Sequence, residues 1–481
     1  MALSQTVIIL DQIPVSPPPE AFAGIPLPLT FFDVEWLPRP PMNKLIFYLH
    51  PMGRVDFLDS LIPCMKNSLS QSLQHYSPLA GRLVVSPDKT NIPEIRYTEG
   101  DTIPLVIAEF NSTNPNDFNH FVSNDARSSM NFNPLIPRLL PTSRASDGSL
   151  AVPLLALQIT LFPDVGICIG VTNHHAMCDG SSIFGFMRAW AFFSNRPKDD
   201  KDAPPQFVPD YDRTSFKDHK ELTTIYWDRV KNVNYEETHN AHRLPPIIDK
   251  VRSTFIMTQD DIQQLKNHVL ARGHDSLHVS TFTVACSYTW SCLARSRSQT
   301  YKEDEDGGDL EEMENFLFPA ECRARLDPPL PKNYFGNCMV PCLYSIREKD
   351  LVGDEGMRKA AEGIGGSIRT VLYNNEKEGV LKGARDRPTV ISKLNFGRTL
   401  TVAGSPKFDY YGLDFGWGRA KKCEFPSIDL NGAISLGAAK DHEGGVEVGV
   451  TLTVTQMDYF TKIFYDGLKN KGRFYYDGSN Q

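Results

Sequence analysis

The clearest alternation of apolar and polar positions runs through Leu157-Gln-Ile-Thr-Leu161 and resumes at Val165, Ile167, Ile169 and Val171, with Pro163-Asp164 in between. Period-two patterning broken by a Pro-Asp pair predicts a strand, a turn and a second strand. From Ser181 the period lengthens. Ile183, Phe184, Met187, Trp190 and Ala191 fall on one stripe of a helix, and Asp179 or Ser181 is placed to cap it. Residues 173–180 are therefore expected at a strand-to-helix junction. Later in the chain, Thr258-Gln-Asp-Asp261 reads as a capping box ahead of Ile262, Leu265 and Val269, with Gly273 where a C-cap would sit. Ser280-Thr281 precede a further helical stripe of Phe282, Cys286, Thr289 and Leu293. Strands and helices are mixed throughout, so the expected fold class is α/β.

Two stretches interrupt the pattern. Asn195–Asp212 is rich in Pro, Lys and Asp and reads as an exposed linker, which predicts two domains, 1–195 and 223–481, joined across 196–222. Glu303–Glu314 packs eight carboxylates around Gly307-Gly308 and reads as a solvated loop. A chain of 481 residues with 41% hydrophobic content can fill large cores, which makes a globular enzyme the default class. Its 50 basic and 58 acidic side chains leave a net charge of −8, which argues against non-specific binding to nucleic acid or anionic lipid. Met1–Phe22 has no basic residue and one short apolar run, Val7–Leu10, so no signal peptide is expected. No apolar stretch approaches the roughly eighteen residues a membrane helix requires. The cytosol is the expected compartment. Nine cysteines, an odd number with no Cys-x-x-Cys pair, sit mostly in apolar contexts such as Gly166-Ile-Cys168-Ile-Gly170, which fits buried, reduced thiols.

Chemistry concentrates at the junction. Thr172-Asn-His174-His175-Ala-Met-Cys178-Asp179-Gly180 gathers two imidazoles, a thiol and a carboxylate at the exit of a strand. Alternation puts Val171, Asn173 and His175 on one face and His174 on the other, so one histidine can face a cleft directly. Asp179, four residues on, can orient the loop or a ring nitrogen. On these residues alone four readings stay open. The first is an acid-base imidazole, and the second is a core histidine followed by a helix-capping aspartate. The third is a metal site from His174, His175 and Asp179, left incomplete because a strand sends the histidines to opposite faces. The fourth is a Cys178 thiolate activated by His175.

Three landmarks carry a resemblance. His175-Ala-Met-Cys-Asp179-Gly180 matches a His-x-x-x-Asp motif, Asp414-Phe-Gly-Trp-Gly418 matches Asp-Phe-Gly-Trp-Gly, and Tyr334-Phe-Gly-Asn-Cys338 matches a clade that acylates anthocyanin and flavonoid glycosides. In their order and over essentially the full chain, they make the sequence similar to the BAHD acyltransferase superfamily of plants. Leu27-Pro-Leu-Thr-Phe-Phe-Asp33, His75-Tyr-Ser-Pro-Leu-Ala-Gly-Arg-Leu83 and Ser405-Pro-Lys-Phe-Asp409 agree with it. The resemblance implies two similar chloramphenicol acetyltransferase-like domains with a channel between them. Acyl-CoA would enter by one mouth and the acceptor alcohol by the other, meeting at His175. It also implies a monomer with no metal and no cofactor beyond the acyl-CoA donor.

Residue roles follow from the resemblance. His175 is the general base, and a neutral imidazole near pKa 6.5 suits a hydroxyl that cannot ionise by itself. Asp179 turns away from the channel and pairs with Arg323 or Arg325. Asp414, with Gly416 and Trp417, forms a tight packed turn or takes a direct part in CoA binding or catalysis. Ser280, Thr281 and the amides of their helix start, with Lys250 and Lys407, are candidates for the CoA phosphates. Ser405, Asn337 and Arg188 are candidates at the acyl group or its oxyanion. Malonyl-CoA is the expected donor, and a glucosylated anthocyanin, flavonoid or phenolic compound the expected acceptor. Many malonyl-using relatives carry a basic residue two positions after the motif's aspartate; here that position is Ser181, with Arg188 as the candidate substitute. The rivals are a hydroxycinnamoyl donor, coumaroyl or caffeoyl, and a non-catalytic relative that binds CoA esters or glycosides without turning them over.

Overall fold

The computed structural model describes residues 6–19, 21, 26–111, 116–196, 207–235, 249–271, 279–303, 311–373, 379–470 and 472. Gly273, much of the 195–212 stretch and the Gly307-Gly308 centre of the acidic segment lie outside the described residues.

Among the described residues the strands form three sheets. The first runs, in spatial order, Thr6–Val15, Ile103–Asn111, Leu155–Phe162, Gly166–Asn173, Met42–Leu49 and Lys422–Glu424. Its centre is the strand pair expected from the alternation, with Leu157 opposite Val171 and Ile159 opposite Ile169. An alternating pattern is usual for strands with one wet face. These two are buried along their whole length on both faces. The Leu157, Ile159, Ile167 and Val171 face joins the main core. The opposite face, with Cys168, is covered by Phe110, Phe118, Phe121, Phe132 and Leu135. Its polar members are satisfied rather than wet, since Gln158 Nε2 donates to the Pro134 carbonyl at 3.0 Å and Thr172 Oγ1 to the Pro137 carbonyl at 2.6 Å.

The second sheet runs Met339–Arg347, Met313–Glu321, Thr399–Ala403, Ile434–Ala438, Val446–Thr453, Lys250–Met257 and Arg127–Ser128. Each large sheet borrows a strand from the other half of the chain. Lys422–Glu424 pairs with Met42–Leu49, and Arg127–Ser128 pairs with Lys250–Met257. A division at 196–222 therefore separates the chain but not the sheets. Where the exchanges meet, Arg127 binds Glu424 at 2.8 Å, and Arg252 binds Glu424 and Asp429, each at 3.2 Å. All four side chains are buried, and a charge there left without its partner would be costly, so the network holds the halves in one arrangement. A third, smaller sheet combines Leu27–Pro28, Glu94–Arg96, Arg82–Val85, Leu150–Pro153 and Ser143–Arg144.

The helices start where the capping residues put them. Gly180–Asn195 is capped by Asp179 and buries Ile183, Phe186, Met187 and Trp190. It packs on the helix Ile62–His75, to whose Met65 carbonyl Trp190 Nε1 donates at 3.2 Å. Gln259–Leu270 follows a complete Thr258 capping box and buries Ile262, Leu265 and Val269. The helix after Ser280 spans Thr281–Glu303. Among the described residues no helix is long and apolar enough to cross a membrane. All nine cysteines are free thiols, seven of them buried.

Candidate active site

The strand Gly166–Asn173 delivers the chain into the junction, and local hydrogen bonding decides which histidine is presented. His174 Nδ1 accepts the Ala176 N–H at 3.0 Å, capping the short turn His175–Met177, and its ring is wholly buried. His175 is thereby directed the other way. Of residues 173–179 it alone is not fully buried. One face of its ring stacks on Trp36, with centroids 3.7 Å apart and planes 7° from parallel. Nδ1 is buried and makes no hydrogen bond among the described residues. Burial pushes the ring pKa down to about 4, with Lys44 adding to the fall; its own carbonyl, Asp179 and Asn337 oppose it. The imidazole is therefore neutral at any pH near 7.

The other junction groups are committed elsewhere. Asp179 Oδ1 accepts the Ser182 N–H at 3.0 Å, while Oδ2 pairs with Arg323 Nη2 at 2.8 Å and accepts the Cys338 N–H at 3.2 Å. Arg325 is not its partner: exposed, it lies over the Tyr373 ring at 4.2 Å, whereas Arg323 is buried. With His174 turned into the core and Asp179 turned to Arg323, the three residues of the metal reading do not converge. Cys178 is buried, and burial holds its thiol well above the ordinary range, so the thiolate that a Cys178 mechanism needs is absent.

Tyr334–Cys338 wraps the start of the same helix. The Gly336 carbonyl accepts from Arg323 Nη2 at 3.1 Å and Ser182 Oγ at 3.3 Å. Gly336 adopts φ +143°, and a Cβ there would meet Tyr334 Oη at 3.0 Å and Arg213 Nη2 at 3.1 Å, so this position requires glycine. Asn337 Nδ2 donates to the His175 carbonyl at 2.9 Å and to Asp33 Oδ1 at 3.0 Å. Both hydrogens of that amide are used, which corrects the expectation of Asn337 as an oxyanion donor; it holds the His175 backbone instead. Asp33, fully buried, also accepts the Asn337 N–H at 2.9 Å and pairs with Arg213 at 2.6 Å. Residues from three distant stretches thus fix the main chain behind one imidazole.

Asp414 Oδ1 accepts three consecutive main-chain N–H groups, those of Gly416 and Gly418 at 2.8 Å and Trp417 at 2.9 Å. The turn needs its glycines, with φ +100° at Gly416 and +79° at Gly418. Phe415 packs edge-on to Trp190, its carbonyl accepts from Ser194 Oγ at 2.9 Å, and Trp417 stacks on His50. The motif is a clasp between the second half and the Gly180–Asn195 helix. Asp414→Ala is expected to cost about 1–3 kcal/mol of stability, read by denaturant unfolding, because a carboxylate accepting several N–H groups is removed.

The model of a protein family described as the Transferase family matches residues 15–466. The chain belongs to this family. It is the BAHD family that its motifs resemble. The chain is 39% identical, over 96% of its length and 97% of the relative, to the malonyl-coenzyme A:anthocyanin 3-O-glucoside-6''-O-malonyltransferase of Dahlia pinnata. It is 40% identical, over 89% of its length and 91% of the relative, to phenolic glucoside malonyltransferase 1 of Nicotiana tabacum. Identity is 31%, over 96% of the chain and 97% of the relative, to coumaroyl-CoA:anthocyanidin 3-O-glucoside-6''-O-coumaroyltransferase 1 of Arabidopsis thaliana. Among solved structures, vinorine synthase shares the fold, with TM-score 0.64, 17% identity and coverage of 94% of this chain and 96% of that one.

In this BAHD member the remaining expected residues are dispersed. Ser280 caps its own helix, its Oγ accepting the Thr283 N–H at 3.1 Å and meeting Thr283 Oγ1 at 2.9 Å; Thr281 is half-buried beside it. Lys407 is exposed, and Lys250 is half-buried at the start of its strand. The contacts of the described residues bring neither lysine to Ser280. Arg188 is exposed, and its guanidinium lies over the Phe207 ring at 3.3 Å and near that of Phe184 at 5.9 Å. Ser405 lines a cavity with Thr254, Phe408, Tyr411, Glu424 and Glu447. His175 is not among the lining residues. The link is Phe408, whose ring is 5.4 Å from that of Phe184 and which lies 3.1 Å from where a Gly180 Cβ would stand. Sequence reasoning missed Trp36, three residues after the matched Asp33, and the buried Arg213 and Lys44, which no local pattern marks.

Proposed function

We propose that the protein is a CoA-dependent O-acyltransferase that moves a malonyl group from malonyl-CoA to a sugar hydroxyl of an anthocyanin, flavonoid or phenolic glucoside. It works as a monomer in the cytosol, where its free thiols would persist. The observation that carries the reading is the imidazole of His175, the one partly exposed group of residues 173–179, neutral and backed by a fixed main chain. The acceptor hydroxyl gives its proton to the ring as its oxygen attacks the thioester carbon. Collapse of the tetrahedral oxyanion expels CoA thiolate, which takes that proton back, so the enzyme ends unchanged. Ser405 is the candidate at the oxyanion. Greater identity to relatives named for malonyl transfer than to one named for coumaroyl transfer supports the donor.

The test is a matrix of malonyl-, acetyl- and coumaroyl-CoA against anthocyanin, flavonol and simple phenolic glucosides, read by released CoA thiol and product mass. A malonyl mass gain on a glucoside is expected. Thiol release with no pair at all would instead indicate a non-catalytic binder. The pH profile gives a second check. A base works unprotonated, so kcat/KM should stay level from pH 7 downward and fall only as the pH approaches about 4. An acid limb at the ordinary imidazole value near 6.5 would contradict the desolvation of the ring.

A further inference from the structure

Lys44 lies on the strand Met42–Leu49, beside Gly166–Asn173, and is 7% exposed. Its Nζ donates to Asn173 Oδ1 at 3.1 Å. Among the described residues no carboxylate lies within 4 Å of it. The other cations buried where the halves meet are matched: Arg127 and Arg252 with Glu424, Arg213 with Asp33, Arg323 with Asp179, and Lys422 with Glu447. An ammonium has three donors, and a single neutral amide satisfies one of them. Burying a cation without an anion is costly.

The position of the charge indicates a use. Asn173 is the last residue of the strand that ends at the two histidines, and the Lys44 charge acts on the His175 ring and on Cys178. The ammonium is thus bonded to the side chain two residues before the proposed base, the group that the acyl carbon of a donor must approach. A malonyl group carries its carboxylate one methylene from that carbon, so a cation meant for it has to lie in the neighbourhood of the base. We propose that Lys44 binds the free carboxylate of a dicarboxylic acyl donor and so selects malonyl over neutral acyl groups, an inference that rests on the acyl-transfer reading above. A neutral acyl group would leave the charge unmatched, which makes Lys44 a device of rejection as well as attraction. Burial lowers its pKa only to about 8, so the charge is present at neutral pH.

The experiment compares kcat/KM for malonyl-CoA and acetyl-CoA on one glucoside in the wild type, Lys44→Met and Lys44→Arg. Loss of a charge-assisted pair is expected to lower the malonyl-to-acetyl ratio about 10- to 100-fold in Lys44→Met, mainly through KM for malonyl-CoA, with Lys44→Arg retaining part of the preference. Should Lys44→Met fail to fold, Lys44→Gln is read in the same way. An equal loss with both donors, or an unchanged ratio, overturns the proposal. A wild type that uses coumaroyl-CoA and ignores malonyl-CoA defeats the donor reading together with it. A wild type that prefers malonyl-CoA and keeps that preference after neutralisation defeats the Lys44 proposal alone.

Discussion

Replacement of His175 by alanine is expected to lower kcat by about a hundred- to ten-thousandfold, the span usual for removal of a positioned general base. Little else should change. The bonds that organise the junction belong to the His175 carbonyl, to His174 and to Asp179, and all survive truncation of the ring. The melting temperature should move by only the modest amount due to lost stacking on Trp36. KM for acyl-CoA should also hold, because a base acts on the acceptor proton in the transition state. The measurement is steady-state turnover of purified, folded His175→Ala with saturating malonyl-CoA. Near-normal turnover in that sample would remove the base from the mechanism.

Asp179→Ala is expected to act on stability first. Arg323 would remain buried without its carboxylate, a situation that costs about 3–5 kcal/mol, and the helix Gly180–Asn195 would lose a cap worth about 1 kcal/mol. Denaturant unfolding should show this loss directly. Adding Arg323→Met should return part of it, since no orphaned charge is then left behind, so the two changes should be clearly non-additive. Whatever fraction of Asp179→Ala stays folded should retain substantial turnover per active molecule. If stability were nearly unchanged while kcat fell as far as in His175→Ala, the carboxylate would have to touch the reaction itself. Its bonds to Arg323, Ser182 and Cys338 run against that outcome.

Legibility in the sequence tracked the range of the interactions. The strand pair around Pro163-Asp164, the helix after Asp179 and the Thr258 capping box were all readable, because each depends on residues within one turn or one hairpin. Alternation showed that the two histidines must part, and the motif resemblance pointed to His175, but the bond from the Ala176 N–H that turns His174 inward was not legible. The Asp414 turn was visible as a glycine-rich segment, though the three amides on its carboxylate were not. Of the two arginines two positions apart, only packing decides that Arg323 goes inward and Arg325 lies over Tyr373. Asn337 looked like a free donor because its acceptors, Asp33 and the His175 carbonyl, are far away in sequence.

The sequence by itself determined the local grammar of this protein: α/β elements, a histidine at the exit of a strand, an aspartate poised to start a helix, and motifs specific enough to resemble one family. Periodicity and capping act over a few residues, so the order of residues suffices to express them. The tertiary structure alone decided how charges pair and where the halves join. It exchanges Lys422–Glu424 and Arg127–Ser128 between the two large sheets, sets Trp36 on the His175 ring, and buries Lys44 against Asn173 with no carboxylate beside it among the described residues. Those outcomes depend on the dielectric surroundings and geometry that distant segments create when they pack, and neither exists in the linear chain.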